Sequence, residues 1–148
     1  MTTVLLIEDN PADVRLVQEV LKATTFDINL QTLDDGEVAV EMLKSGEISA
    51  DVILLDLNLP KMDGREILQA LKTDESLKRI PIIVLTCSQL DQDVLQSYDL
   101  HANCYIVKPI DLKGFIQAVK NIETFWLGTV TLPAKSNTES TNDPSPTN

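Results

Sequence analysis

One stretch constrains the fold more than any other: four consecutive apolar residues, Val52–Leu55, run directly into Asp56. A short apolar run without polar alternation, followed by a Pro-Lys-Met-Asp-Gly turn, is typical of a strand buried on both faces of a parallel sheet. Asp56 would then lie at the carboxyl end of that strand, the edge where open α/β sheets bind ligands. Asp56 alone could equally be a solvated strand-end carboxylate, so its importance depends on the rest of the chain.

Similar runs recur along the chain and alternate with segments of helical periodicity. Parallel strands joined through helices need right-handed crossovers, and the helices then cover both faces of the sheet. The sequence therefore predicts an α/β fold with a five-stranded, doubly wound parallel sheet. The predicted strands are residues 4–7, 28–33 (at an edge), 52–55, 81–85 and 104–107.

Capping residues mark the predicted helix starts. On the fourth helix, Val94, Leu95 and Tyr98 are predicted to face inward, and Gly128 is predicted to close the last helix near residue 127. The predicted starts are Asn10 followed by Pro11, Asp34 paired with Glu37, Gly64, Ser88 with Asp91, and Asp111.

Charge and composition narrow the range of partners. The 148 residues carry a net charge of −11, which disfavours a nucleic-acid or anionic membrane surface and suits cations or basic protein patches. No apolar run approaches the roughly 20 residues that span a bilayer, and no secretory signal is recognisable. Cys87 and Cys104 lack metal-binding spacing and are expected to be small buried hydrophobes in a reducing cytoplasm.

The chain is expected to form one domain over residues 1–128, followed by a C-terminal extension over residues 129–148. Beyond Leu132 the composition shifts to Pro, Ser, Thr, Asn and Lys, with almost nothing apolar. Such a segment cannot bury enough apolar surface to fold, so disorder is expected from about residue 133.

Acidic side chains follow two of the predicted strands: Glu8 and Asp9 after the first, and Asp56 after the third. These strands are neighbours in this topology, so the three carboxylates can converge, and a cation or proton must then relieve their repulsion. Oxygen ligands with open positions suit Mg²⁺, which takes one or two carboxylates together with a phosphate oxygen. One carboxylate remains free as a nucleophile that could form an aspartyl phosphate.

Two further strand ends supply groups that stabilise phosphoryl oxygens, namely the ammonium of Lys108 and the hydroxyl of Thr86. Phosphoryl transfer needs mainly positioning and charge neutralisation, so this small set suffices. Each residue also has a structural interpretation, with Glu8 and Asp9 as helix-flanking acids, Thr86 as a strand-end residue and Lys108 as a solvated lysine. The coincidence of four strand ends with matching chemistry favours the functional interpretation.

Four segments in order carry a family pattern: Leu6-Ile7-Glu8-Asp9, Leu55 to Pro60 with Asp63-Gly64, Leu85-Thr86, and Tyr105-Ile106-Val107-Lys108-Pro109. Together, over about residues 3–122, they resemble the response-regulator receiver domains of bacterial two-component signalling. The resemblance implies the flavodoxin-like receiver fold with strand order 2-1-3-4-5. It also implies a signalling protein that is not an enzyme beyond catalysing its own phosphorylation and dephosphorylation.

The resemblance further implies that Asp56 accepts a phosphoryl group from a sensor histidine kinase. Asp9 would bind Mg²⁺ directly, Glu8 through water, and Asn58 through its backbone carbonyl. Glu8 replaces the commoner Asp of the family, which makes its coordination geometry less certain. Lys108 would bind the phosphoryl group.

Thr86 and Tyr105 would form a switch pair under the same resemblance. If Thr86 moves toward a phosphoryl oxygen, it vacates space that Tyr105 can fill, and the face formed by the fourth and fifth helices repacks. The alternative for Tyr105 is a half-buried aromatic ring with its hydroxyl in water.

The last predicted helix is rich in aromatic and apolar residues at spacings of three and four. One interpretation is a wide buried face. The other is a self-association surface that forms a homodimer, with Phe115, Ile122, Phe125 and Trp126 at the interface. Segments 98–105, 123–127 and 131–133 also resemble the small response regulators partnered with bacterial phytochromes, especially cyanobacterial ones, which implies a phytochrome-type kinase and an extension packed across a dimer interface.

Two other functions remain open from the residues alone. A flavodoxin-like ligand-binding module would favour a glycine-rich loop after the first strand, where this chain has Glu-Asp-Asn-Pro. A hydrolase with Asp56 as nucleophile would need a second acid placed as general acid, and no substrate-capping segment is recognisable.

Overall fold

Five parallel strands form one sheet in the order β2-β1-β3-β4-β5, which confirms the predicted fold. The computed structural model describes residues 1–134, so most of the predicted disordered tail lies outside the described residues. The strands are β1 (Thr2–Ile7), β2 (Ile28–Leu33), β3 (Val52–Leu55), β4 (Ile82–Thr86) and β5 (Cys104–Val107). The helices are α1 (Pro11–Lys22), α2 (Gly36–Ser45), α3 (Gly64–Lys72), α4 (Asp91–Asp99) and α5 (Leu112–Ile122), and a π-helical segment (Glu123–Thr129) continues α5.

Both faces of the sheet are covered, which explains why the central strands have no polar alternation. Alternate residues of β1 and β3 pack on one side with α2 and α3, and the others pack on the opposite side with α1 and α5. Within residues 1–134, no helix is both long and apolar enough to cross a bilayer.

Strand register brings the ends of β1, β3, β4 and β5 to one edge. Ile7 pairs with Leu55, and Thr86 pairs with Val107, so the residues that follow these strands emerge side by side. Helix α3 begins close against this edge, because a Cβ added to Gly64 would lie 2.5 Å from the Cα of Leu57. Glycine at this position therefore lets α3 pack directly on the backbone that carries the site.

The predictions for two helices, α2 and α4, need correction. Asp35, not Asp34, caps α2, because the Asp35 carboxylate accepts hydrogen bonds from the backbone N–H groups of Glu37 and Val38. In α4 the predicted inward residues Leu95 and Tyr98 are 65% and 48% exposed. The buried face of α4 instead carries Asp93 and Ser97, and no side chain caps its start.

Helical structure does not end at Gly128, since the π-helical segment continues to Thr129. A Cβ added to Gly128 would lie 2.7 Å from Cζ of Phe26, so glycine here permits close packing rather than helix termination. Burial also corrects a cysteine prediction. Cys87 is exposed, because it follows β4 outside the sheet, whereas Cys104 is half-buried.

The predicted dimer interface divides into two parts. Phe115 and Ile122 are buried in the chain's own core between α1, α5 and the sheet, so they do not present a surface to a second copy. Phe125 is 53% exposed, and its ring meets Trp126 edge-on with 5.8 Å between ring centroids. Of the four residues predicted at the interface, Phe125 and the half-buried Trp126 remain within reach of a partner, because α5 docks on the sheet through Phe115 and Ile122.

Candidate functional site

Three carboxylates meet at the carboxyl edge of the sheet. Glu8 and Asp9 follow β1, Asp56 follows β3, and one oxygen of each lies within 4.8 Å of the others. Glu8 and Asp56 are buried, whereas Asp9 is exposed. A cluster with this spacing and one open side suits a divalent cation that keeps some of its water.

Lys108, which follows β5, points its ammonium into this cluster. Its Nζ donates to Oε1 of Glu8 at 2.7 Å, Oδ2 of Asp13 at 2.8 Å and Oδ2 of Asp56 at 3.2 Å. Burial lowers the pKa of Lys108, but the hydrogen bonds that Lys108 donates to Asp13 and Glu8 and the carboxylate charges outweigh this effect, so the pKa is raised. The group therefore stays charged, as binding of a phosphoryl group requires.

The protonation of Glu8 is strongly affected by its surroundings. Burial, opposed by the hydrogen bond from Lys108 and reinforced by the charge of Asp56, raises the pKa of Glu8 to about 7. Its Oε1 accepts from Lys108 and its Oε2 accepts from the backbone N–H of Asn10 at 3.1 Å. The carboxyl group thus titrates near neutral pH, where a cation can displace its proton.

Asp56 is held by two donors. Its Oδ1 accepts from the backbone N–H of Asn58 at 3.1 Å, and its Oδ2 accepts from Lys108. The side-chain amide of Asn58 donates to Oγ1 of Thr86 at 3.4 Å, and Thr86 is fully buried. These contacts connect the ends of β3, β4 and β5 through hydrogen bonds.

Tyr105 is linked to the loop between β4 and α4. Its hydroxyl donates to the backbone carbonyl of Ser88 at 2.9 Å, so the alternative with the hydroxyl in water is wrong for this conformation. The Ser88 hydroxyl donates in turn to Asp93, and Arg65 pairs with both Asp93 and Asp63. The hydrogen bonds from Ser88 and Arg65 lower the pKa of Asp93. We call Arg65, Ser88, Asp93 and Tyr105 the α4 network.

The sequence interpretation identified Tyr105 but missed Asp13 and the pair of Arg65 and Asp93. In the sequence, Asp13 is simply an acid in the first turn of a predicted helix. That helix, α1, starts at Pro11, two residues after the Glu8-Asp9 pair. A helix that begins at the edge carrying the site places its first turn beside the site. This reasoning could have identified Asp13 from the sequence. Arg65 and Asp93 lie 28 positions apart on different helices and had no such signal.

Fold and site together define a class, and comparison with known proteins agrees with it. The model of the response regulator receiver domain matches residues 4–120, and the chain belongs to that family. It is similar to the response regulator Rcp1 of Synechocystis sp., with 53% identity over 136 residues, or 88% of this chain and 92% of Rcp1.

Two solved structures extend this comparison. The Mn²⁺-bound form of Rcp1 matches with a TM-score of 0.88 at 50% identity, over 90% of this chain and all of that one. The phosphorylated cyanobacterial phytochrome response regulator RcpA matches with a TM-score of 0.87 at 48% identity, over 90% of this chain and 99% of that one. The family assignment favours the response-regulator hypothesis over the ligand-binding module and the hydrolase.

Proposed function

We propose that this response regulator accepts a phosphoryl group on Asp56 from a sensor histidine kinase, in a phosphorelay that depends on Mg²⁺. The observation that carries the proposal is the position of the Lys108 ammonium, 3.2 Å from Oδ2 of Asp56 and beside the acidic cluster. A nucleophilic carboxylate, a fixed cation and a divalent-metal site are the parts that phosphoryl transfer needs.

In the transfer step an oxygen of Asp56 attacks the phosphorus atom of the kinase phosphohistidine. The new P–O bond forms as the P–N bond breaks, and the electron pair leaves with the imidazole nitrogen. Lys108 neutralises charge on the phosphoryl oxygens, and the hydroxyl of Thr86 donates to one of them. The same residues support transfer from small phosphodonors and the later hydrolysis of the acyl phosphate, and we propose no other catalysis.

The acidic cluster fits Mg²⁺ by the chemistry of its donors. Asp9 would bind the ion directly, Glu8 through water and Asn58 through its backbone carbonyl, leaving positions for water and a phosphoryl oxygen. When bound, the ion neutralises charge on the phosphoryl group and the attacking carboxylate. That the relative Rcp1 has a Mn²⁺-bound form supports divalent-ion binding by this chain.

A switch at Thr86 and Tyr105 follows from the same proposal. The Thr86 hydroxyl is fully buried and lies one strand from Tyr105, whose hydroxyl is tied to the loop that follows Thr86. A shift of Thr86 toward the phosphoryl group would pull on this loop and change the surface formed by α4 and β5.

The partners follow from the relatives and from exposed surface. RcpA is a phytochrome response regulator by name, which supports a phytochrome-type kinase as phosphoryl donor here. The exposed Phe125 beside the half-buried Trp126 supports a homodimer through the last helix. A net charge of −11 supports protein partners rather than nucleic acid or membrane, and the free thiols of Cys87 and Cys104 support a cytoplasmic location.

Incubation with acetyl phosphate and Mg²⁺, followed by intact-mass measurement, tests the proposal. We expect one added phosphoryl group on the wild type, none on Asp56→Asn, and much slower addition on Lys108→Ala. Lys113→Ala, which removes an exposed lysine of α5, is the matched control and should behave as the wild type. A wild type without an adduct, or an adduct that persists on Asp56→Asn, would disprove the role of Asp56.

A further inference from the structure

The three hydrogen-bond donors of the Lys108 ammonium are matched by three carboxylates, and one of these comes from outside the acidic cluster. An ammonium group has three N–H donors, and Lys108 directs them to Glu8, Asp56 and Asp13. The distance to Asp13, 2.8 Å, is shorter than the 3.2 Å to Asp56. The ammonium therefore lies closer to a carboxylate of helix α1 than to the proposed phosphoacceptor.

A phosphoryl group on Asp56 would carry roughly two negative charges in place of the one on the carboxylate, and it would require a donor from Lys108. Phosphorylation removes the carboxylate charge of Asp56, so the donor that Asp56 accepts can pass to the phosphoryl group. The ammonium must also move toward that group, and therefore away from Glu8 or Asp13. Glu8 is poorly suited, because its side chain is 3% exposed and its second oxygen is held by the N–H of Asn10. Asp13 is 19% exposed, so water can replace the lost contact at the lowest cost in free energy.

We propose that Asp13 is a positioning residue that holds Lys108 in the unphosphorylated protein and competes with the phosphoryl group for its ammonium. The inference deepens the proposed function, since it rests on Asp56 as the phosphoacceptor. Asp13 acts through Lys108 and sets how readily the site accepts a phosphoryl group. Removing its charge favours the phosphorylated form, because the competing ion pair is lost only from the unphosphorylated form.

The test compares Asp13→Asn with the wild type in two measurements. The first is the rate of phosphoryl gain at subsaturating acetyl phosphate with Mg²⁺, read by intact mass. The second is the affinity for beryllium trifluoride with Mg²⁺, a phosphoryl mimic that binds carboxylates, read by calorimetry. We expect both to rise about two- to fivefold in Asp13→Asn, the range for a partly exposed ion pair, and the gain to shrink in high salt.

Glu19→Gln is the matched control, because it removes the same charge from an exposed position of the same helix. It should match the wild type in both measurements. An equal rise in Glu19→Gln would assign the effect to net charge and overturn the proposal. Unchanged or reduced values in Asp13→Asn would overturn it as well, since Asp13 would then be only a helix-start acid or would present Lys108 to the phosphoryl group.

Two further comparisons keep the outcome decisive. Asp13→Ser, which also lacks the charge and suits a first helical turn, replaces Asp13→Asn if urea unfolding shows that the latter is not folded. A wild type that gains no phosphoryl group and binds no fluoroberyllate would disprove the role of Asp56. A wild type phosphorylated on Asp56, with Asp13→Asn identical to it, would disprove only the role of Asp13.

Discussion

Glu8 is the most deeply buried residue of the acidic cluster, and both of its oxygens are engaged, by Lys108 and by the N–H of Asn10. The extra methylene of glutamate, compared with aspartate, lets the carboxyl group reach Lys108 while it stays buried. A divalent ion bound beside Asp9 would meet a carboxylate that Lys108 already contacts. We therefore expect the protonation of Glu8 to affect how well the proposed site binds metal.

The affinity for Mg²⁺ should rise with pH around neutrality. The pKa of Glu8 is raised to about 7, so the group is mostly neutral near pH 6 and mostly charged near pH 8. Because the charged form is the better ligand, we expect an increase of up to about tenfold from pH 6 to pH 8, with proton release on binding at the lower pH. Calorimetric titration in buffers of different ionisation enthalpy measures both quantities.

Glu8→Gln serves as control, since its side chain cannot titrate and should flatten the pH dependence. Linkage fixes the sign of the accompanying stability change. A carboxyl group with a raised pKa in the folded state stabilises the protein at low pH, and this contribution is lost as the pH rises through about 7. A wild-type affinity that is constant across the range would contradict the assignment of Glu8 to the metal site.

Among the helices, α4 departs most from the pattern of an amphipathic surface helix. Its buried side carries Asp93 and Ser97, whereas Leu95 and Tyr98 face outward. Asp93 accepts from the Ser88 hydroxyl and pairs with Arg65 of α3. The helix is thus attached through polar contacts that connect it to α3 and to the loop contacted by Tyr105.

Replacing Asp93 should loosen this attachment. In Asp93→Ala the half-buried guanidinium of Arg65 and the Ser88 hydroxyl each lose a partner, so we expect a loss of about 1–3 kcal/mol in the free energy of unfolding, measured in urea. Because the pKa of Asp93 is lowered, its contribution should be present at neutral pH and lost as the pH falls through that lowered value.

The matched control for this helix is Asp91→Ala. Asp91 is exposed in the first turn of the same helix. Its removal should cost only the interaction of its charge with the helix dipole, about a few tenths of a kcal/mol. Equal losses in the two variants would show that the α4 network contributes nothing specific.

The strands could be predicted from the sequence because burial on both faces leaves an unbroken apolar run, as in Val52–Leu55. The convergence of Glu8, Asp9, Asp56 and Lys108 also followed from the rule that parallel strand ends share one edge. The cap of α2 could not be decided, since Asp34 and Asp35 are both acids and only backbone geometry distinguishes them. The orientation of α4 depended on Arg65, a partner on another helix that helical periodicity cannot show.

At the scale of the whole molecule, the two sides of the sheet carry different surfaces. The side formed by α1 and α5 ends in the π-helical segment, where Phe125 and Trp126 remain accessible. Phe115 and Ile122 are buried where α5 packs on the sheet, so the proposed dimer would depend on the exposed atoms of Phe125 and Trp126. Few residues would therefore form the centre of the proposed interface, and single substitutions there should have large effects on association.

Phe125→Ala should weaken self-association by about tenfold or more, because burying an aromatic side chain contributes about 1.5–3 kcal/mol. Sedimentation velocity over a range of protein concentrations measures the change. Val38→Ala, which trims an exposed apolar residue of α2 on the opposite side, should leave association unchanged. A wild type that stays monomeric throughout, or an equally dimeric Phe125→Ala, would refute the proposed interface.

The exposure of Cys87 offers a way to observe the switch directly. This thiol follows the buried Thr86 and precedes Ser88, the residue whose carbonyl receives the Tyr105 hydroxyl. Burial raises the pKa of Cys104, which lowers its share of reactive thiolate. A short labelling reaction at neutral pH would therefore attach a fluorophore mainly to Cys87. The chain thus carries a natural labelling position in the loop between Thr86 and Ser88, where the proposed switch begins.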